Sequence, residues 1–139
     1  MGVVSAGRFE GRVALVTGAG APDGIGMACA RGLVAQGARV VLAATSARVH
    51  ERAAELGAAA LGVIGDLTVE ADADAAVGAA LERFGRLDVL VNNAGMTSTT
   101  GGWDVDAEVE HLALDDWRAG VSRNLDTAFL TSRAAVRAM

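Results

Sequence analysis

The sequence predicts an α/β fold, a doubly wound parallel sheet, and three observations carry that expectation. Four short apolar runs, residues 13–16, 40–44, 61–64 and 87–91, are nearly continuous rather than alternating, as strands buried on both faces are. Longer segments of helical period lie between them, and this β-α-β-α-β-α-β order becomes a parallel sheet through right-handed crossovers. A glycine-rich break follows the first run directly and opens the first helix, the local arrangement of a ligand-binding corner.

Each element has its own signal. The first helix carries Ile25, Cys29 and Leu33 on one stripe, the second Val49, Ala53 and Leu56, and the third Ala73, Val77, Leu81 and Phe84. Steps of three and four put each set on one helix face, which is the face expected to be buried. Gly37, Gly57 and Gly85 stand just past the three helix ends, where a left-handed cap favours glycine. Thr68, ahead of Glu70 and Asp72, is the expected N-cap of the third helix, followed by an acidic first turn. A longer connection, residues 96–113, holds Trp103 among Asp104, Asp106, Glu108 and Glu110 and reads as a solvated loop. In the last helix Leu114, Trp117, Val121, Leu125 and Ala128 form the expected buried stripe. Asn124 should point toward that side, where a polar group needs partners.

Composition narrows the function. The 139 residues are 52% apolar with a formal net charge of −5, a globular composition whose charge disfavours nucleic acid or an anionic membrane as principal partner. No apolar run approaches the length of a membrane span, and residues 1–10 lack the pattern of a secretory leader. A single cysteine, Cys29, fits a reducing compartment. A cytoplasmic protein is therefore expected, one domain in extent.

Two turns are the candidate site. Thr17-Gly18-Ala19-Gly20-Ala21-Pro22-Asp23-Gly24-Ile25-Gly26 links the first strand to the first helix. With no Lys-Ser/Thr after the glycines it is not a nucleoside-triphosphate P-loop. Strand, glycine turn and helix N-terminus form an anion-binding corner, where backbone approaches closely and amides point outward. Asn92-Asn93-Ala94-Gly95 follows the fourth strand. Strands one and four flank the switch point in the usual strand order, so the two turns should face one another across a crevice. Asp66 ends the third strand on the same edge. Blander readings stand beside these: an unliganded glycine turn, Asp66 as a local cap, and Asn124 as a structural amide.

Taken together, several motifs resemble the N-terminal part of the short-chain dehydrogenase/reductase family. They are Phe9-Glu-Gly-Arg-Val-Ala-Leu-Val-Thr-Gly18, Gly24-Ile-Gly26, Gly65-Asp66-Leu67, Arg86-Leu-Asp-Val-Leu-Val-Asn-Asn-Ala-Gly95 and Trp117 with Asn124-Leu125 and Phe129. They span nearly the whole chain in order. The resemblance implies a Rossmann-type sheet with four strands present and the family's C-terminal strands missing. It also implies a nicotinamide dinucleotide and a small carbonyl or alcohol substrate. By the same resemblance Gly18, Gly24, Ile25 and Gly26 would hold the pyrophosphate, and Asp66 and Leu67 would border the adenine. Asn93, Ala94 and Gly95 would line the ribose and the approach to the nicotinamide, while Asn92 would brace the sheet. Asn124 would hold a water of the proton relay.

Departures from the family qualify this picture. Five residues, rather than the usual three, separate Thr-Gly from Gly-Ile-Gly, so a longer turn around Pro22 is expected, as in some relatives resembling 3-oxoacyl carrier-protein reductases. The family's catalytic Ser and Tyr-x-x-x-Lys would lie beyond residue 139, and the chain has no Tyr and no Lys, all 12 basic residues being Arg. It is therefore expected to be inactive alone, to act as part of an oxidoreductase, or to serve as a non-catalytic dinucleotide-binding or interaction module. A homo-oligomer or a complementing C-terminal chain is the expected partner. No acid stands at the end of the second strand, where Thr45, Ser46 and Arg48 follow Ala44. Hydroxyls and Arg48 could take a 2′-phosphate, which favours NADP over NAD, while Asp23 stands where NADP-using relatives often carry a basic residue.

Overall fold

The computed structural model describes residues 7–95 and 108–139. The elements run β1 (Val13–Thr17), α1 (Ile25–Ala35), β2 (Arg39–Ala44), α2 (Arg48–Leu56), β3 (Ala60–Ile64), α3 (Glu70–Phe84), β4 (Val89–Val91), α4 (Leu114–Val121) and α5 (Thr127–Ala138). All pairings among these strands are parallel, in the order β3-β2-β1-β4. Chain order reverses between β1 and β4, as expected. Trp103, Asp104 and Asp106 of the acidic connection lie outside the described residues, as do the first six. Glu108 and Glu110 are exposed.

The continuous apolar runs serve two cores. Val13 and Leu15 of β1 and Val41 and Ala43 of β2 face α3 and α5, where Ala73, Ala76, Val77, Ala80, Ala134 and Ala135 meet them. Ala14, Val16, Val40 and Leu42 face the other way, onto Met27, Ala30, Val49 and Ala53 of α1 and α2. Alternate residues of one strand thus enter opposite layers, and β1 is buried at every position because it is central. Alanines dominate the helix faces, which brings the helices close to the sheet.

Several helix faces differ from the expected stripes. In α1 the buried residues are Gly26, Met27 and Ala30, while Ile25 is 75% exposed. Cys29 and Leu33 only flank that core. Ile25 is the first helical residue and stands out at the rim of the glycine turn. In α3 the small residues Ala76 and Ala80 are buried and Leu81 is partly exposed. The N-cap of α3 is Val69, not Thr68, because the Thr68 hydroxyl donates to Asp66 Oδ1 at 2.6 Å instead.

The largest correction concerns the last helix. It is interrupted by a π-helical turn, Ser122–Asp126, between α4 and α5. Thr127, Thr131, Ala134 and Ala135 are buried, whereas Leu114, Trp117 and Leu125 are exposed. A wide turn inserts an extra residue into the helical register, so the face buried after it does not continue the stripe before it. Side chains stitch the turn: Asn124 Nδ2 donates to Gly120 O at 2.9 Å, and Thr127 Oγ1 lies 3.0 Å from Arg123 O.

Candidate functional site

The β1–α1 turn and the β4 turn are built into each other. Gly18 has φ +69°, and a Cβ there would stand 2.8 Å from Ala94 Cα. A Cβ on Gly26 would meet Asn93 Nδ2 at 2.7 Å and Gly18 O at 2.8 Å. Only glycine fits both places. The buried Thr17 side chain ties the turns together: its Oγ1 accepts from the amides of Asn93 at 3.0 Å and Ala94 at 2.9 Å and donates to Val91 O at 3.2 Å. Asn93 Nδ2 returns the contact, donating to Thr17 O and Gly18 O at 3.0 and 3.1 Å. Asn93 therefore braces the corner from behind.

Asn92 also braces, on the other side. Its Nδ2 donates to Ser132 Oγ at 2.8 Å, and Thr131 Oγ1 lies 2.6 Å from its Oδ1, fastening the end of β4 to α5.

The longer turn folds outward. Pro22 O accepts from Arg31 at 3.0 Å, and Arg31 also pairs with Glu55 of α2 at 3.1 Å. Gly24 is the N-cap of α1 in extended conformation and offers no side-chain cap. The first amides of α1 have no intrahelical acceptor, which is the condition for holding an anion.

Beyond the strand ends lies a cavity of about 490 Å³. Gly18, Gly20 and Ala21 line it from the glycine turn, Thr45, Ser46 and Arg48 from the end of β2, and Gly65, Asp66, Leu67 and Thr68 from the end of β3. Ala94 and Gly95 close it after β4, and Ala119, Ser122, Arg123 and Thr127 form the helical wall. Of the residues expected from sequence, Gly18, Thr45, Ser46, Arg48, Asp66, Leu67, Ala94 and Gly95 meet here. Gly24, Ile25, Gly26, Asn93 and Asn124 are not on this wall. Asn124 is instead directed at the β4 turn, where a Cβ on Gly95 would stand 2.6 Å from its Oδ1.

The helical wall escaped the sequence reading. Ala119, Ser122, Arg123 and Thr127 share one i, i+3, i+4, i+8 helix face, but that spacing does not say that the face closes over the strand ends.

Asp66 is the one carboxylate among the described lining residues. Its Oδ1 accepts from the Thr68 hydroxyl and from the Thr68 amide at 3.0 Å. Those bonds, the hydroxyl's first, hold its pKa below the usual carboxylate value, and the charge of Arg123 adds to the effect against the opposing pull of burial. Asp66 is thus an ionised acceptor beside Leu67, while Arg48 and Arg123 give the wall two positive charges. Arg48 Nε lies 3.4 Å from Ser46 Oγ, so cation and hydroxyl share one corner at the end of β2.

A glycine turn at a helix N-terminus, a crevice at the β1/β4 switch point and a cavity across the strand ends place the chain in the doubly wound, Rossmann-like α/β class. The comparisons agree with that class. The short chain dehydrogenase family matches residues 12–139, and the chain belongs to that family. It is 38% identical over 132 residues to the 3-oxoacyl-(acyl-carrier-protein) reductase FabG of Salmonella typhimurium, covering 94% of this chain and 50% of that protein. It is 40% identical over 136 residues to a hexahydro-indene-carboxyl-CoA reductase of Mycobacterium tuberculosis, covering 94% and 49%. The structure of a 3-ketoacyl-(acyl-carrier-protein) reductase from Brucella melitensis complexed with NADH superimposes with a TM-score of 0.83 at 37% identity, covering 94% of this chain and 51% of that one. The chain spans about half the length of these relatives. No described helix is long and apolar enough to cross a membrane.

Proposed function

We propose that this chain is the dinucleotide-binding part of an NAD(P)(H)-dependent oxidoreductase that interconverts carbonyl and alcohol groups on a small substrate. One observation carries the reading: two glycines that tolerate no Cβ sit beside an uncapped helix N-terminus, next to a cavity running along the four strand ends. That cradle suits a pyrophosphate with its two nucleoside arms.

In this reading Gly18 and the backbone of Gly24, Ile25 and Gly26 hold the pyrophosphate. Asp66 and Leu67 border the adenine. Ala94 and Gly95 give the nicotinamide ribose a floor of small residues, and Asn93 keeps that floor in register with β1. Asn124, beside Gly95, orients a water for proton movement. Thr45, Ser46 and Arg48 receive a ribose 2′-phosphate, which favours NADP(H); exposed Asp23, where NADP-using relatives often carry a basic residue, weighs against it.

The bound nicotinamide supplies or accepts the hydride. Proton transfer to or from the substrate oxygen, worth typically 10²–10⁴-fold, needs an acid/base that this chain, without Tyr or Lys, does not provide. A complementing chain that carries them would complete the site, and a homo-oligomer is the other partner proposed.

A second reading, a non-catalytic dinucleotide-binding or interaction module, rests on the same crevice and on the exposed apolar residues Leu114, Trp117, Leu125 and Phe129. Calorimetric titration with NADPH and NADH tests both. Binding of at least one coenzyme, NADPH the tighter, is the expected result, and binding of neither defeats both readings. Mixing with a chain that carries Tyr-x-x-x-Lys then separates them: coenzyme-dependent carbonyl reduction supports the enzyme, and binding without turnover supports the module.

A further inference from the structure

We infer that Arg123 is a ligand-binding residue of this cavity, and that its guanidinium plane forms one face of the compartment for the adenine base. The inference rests on the dinucleotide reading above and extends it to a residue on the helical wall.

The chemistry of the lining calls for such a plane. A flat aromatic base needs flat or apolar surfaces against its two faces, and proteins commonly offer aromatic rings or guanidinium planes. The described lining of this cavity contains no aromatic side chain. Its planar cations are Arg48 and Arg123. Arg48 lies beside Ser46 at the end of β2, the corner suited to a ribose substituent. Arg123 lines the same cavity as the β3 end and its charge is felt at Asp66; there Asp66 offers an acceptor to an exocyclic amine and buried Leu67 offers apolar surface.

The backbone around Arg123 holds it at the cavity. Arg123 stands in the π-turn Ser122–Asp126, and such turns frequently occur at functional sites. The Thr127 hydroxyl lies 3.0 Å from the Arg123 carbonyl, and Thr127 itself lines the cavity. The backbone that carries the guanidinium is thereby fixed on the ligand side, which lowers the ordering cost of using it. A stacked arginine plane also gains cation–π attraction that an ammonium on a flexible stem does not reproduce.

The test compares Arg123→Ala, Arg123→Lys and Arg123→Gln by calorimetry with NADH, NADPH and ADP-ribose, alongside thermal unfolding of the unliganded proteins. Unfolding midpoints close to that of the parent are expected. Arg123→Ala and Arg123→Lys should each weaken ADP-ribose and both coenzymes by about tenfold. Arg123→Gln, which keeps a planar group without charge, should lose less. If Arg123→Lys binds as the parent does, charge rather than the plane is used and the inference falls. A loss confined to NADPH would assign Arg123 to the 2′-phosphate and overturn it too. Should Arg123→Ala unfold, the ranking of Lys against Gln still decides, since Lys above Gln refutes stacking. Failure of the unsubstituted protein to bind any of the three ligands overturns the dinucleotide reading, and this inference with it.

Discussion

Thr17 shows how much a single hydroxyl holds at this site. It is 1% exposed, and its oxygen accepts from two consecutive amides of the β4 turn. Thr17→Val keeps the shape and removes the acceptor, leaving the Asn93 and Ala94 amides short of a partner. A loss of about 1–3 kcal/mol in stability is expected from urea denaturation, together with weaker coenzyme binding. Thr17→Ser, which retains the oxygen, should lose clearly less; equal losses for the two variants would show that the hydroxyl does not hold the turns together. The glycine pair belongs to the same scale. Gly18 and Gly26 were recognisable in sequence as a close-approach motif, but which backbone approaches them became evident only from the Ala94 and Asn93 contacts.

At the scale of elements, β1 and β4 are fastened at both ends by polar groups. At the far end from the cavity, Asp88 accepts from the Val13 amide at 2.9 Å, from Arg12 at 3.0 Å and from Arg86 at 2.6 and 2.8 Å. The Arg86 hydrogen bonds, supported by those of Val13 and Arg12 and opposed by burial, hold the Asp88 carboxyl well below the usual carboxylate range. A carboxylate with a lowered folded-state pKa contributes fully above its unfolded value of about 4, and loses that contribution as pH falls through that value toward the folded one. Stability should therefore decline as the medium is acidified below about pH 4, and Asp88→Asn should flatten part of that decline while lowering stability at pH 7. Denaturation curves between pH 2.5 and 7 check this; an unchanged acid slope in the variant would assign the dependence to other carboxylates. The π-turn is the other decisive element. It separates α4, which has no buried residue, from α5, whose Thr127 and Thr131 are buried, and it carries Asn124, which is directed at Gly95, in a stretch whose periodicity suggested one unbroken helix.

For the molecule as a whole, the apolar face of α4 and α5 is the main unsatisfied surface. Leu114, Trp117, Leu125, Phe129 and Val136 are each more than half exposed, and β4 pairs only with β1 among the described strands, leaving a sheet edge. Exposed apolar surface and an unpaired edge favour association. Sedimentation velocity should show self-association that grows with concentration, and Trp117→Glu with Phe129→Glu should shift the protein toward monomer. A sharp monomer at every concentration before substitution would contradict this. The five residues were read in part from their spacing as a buried stripe. Spacing reports that one face is apolar; it does not report what covers that face.

By itself the sequence determined the strand–helix alternation, the parallel sheet, the glycine corner opposite Asn92–Gly95 and the family resemblance, because these follow from local apolar runs, backbone conformational needs and motif order. Tertiary structure alone decided which alanines face the sheet, that Asn93 braces rather than lines the cavity, and that the wall of Ala119, Ser122, Arg123 and Thr127 completes it. Those outcomes depend on contacts between segments far apart in the chain. Periodicity marks a face in the residues themselves but not what that face meets.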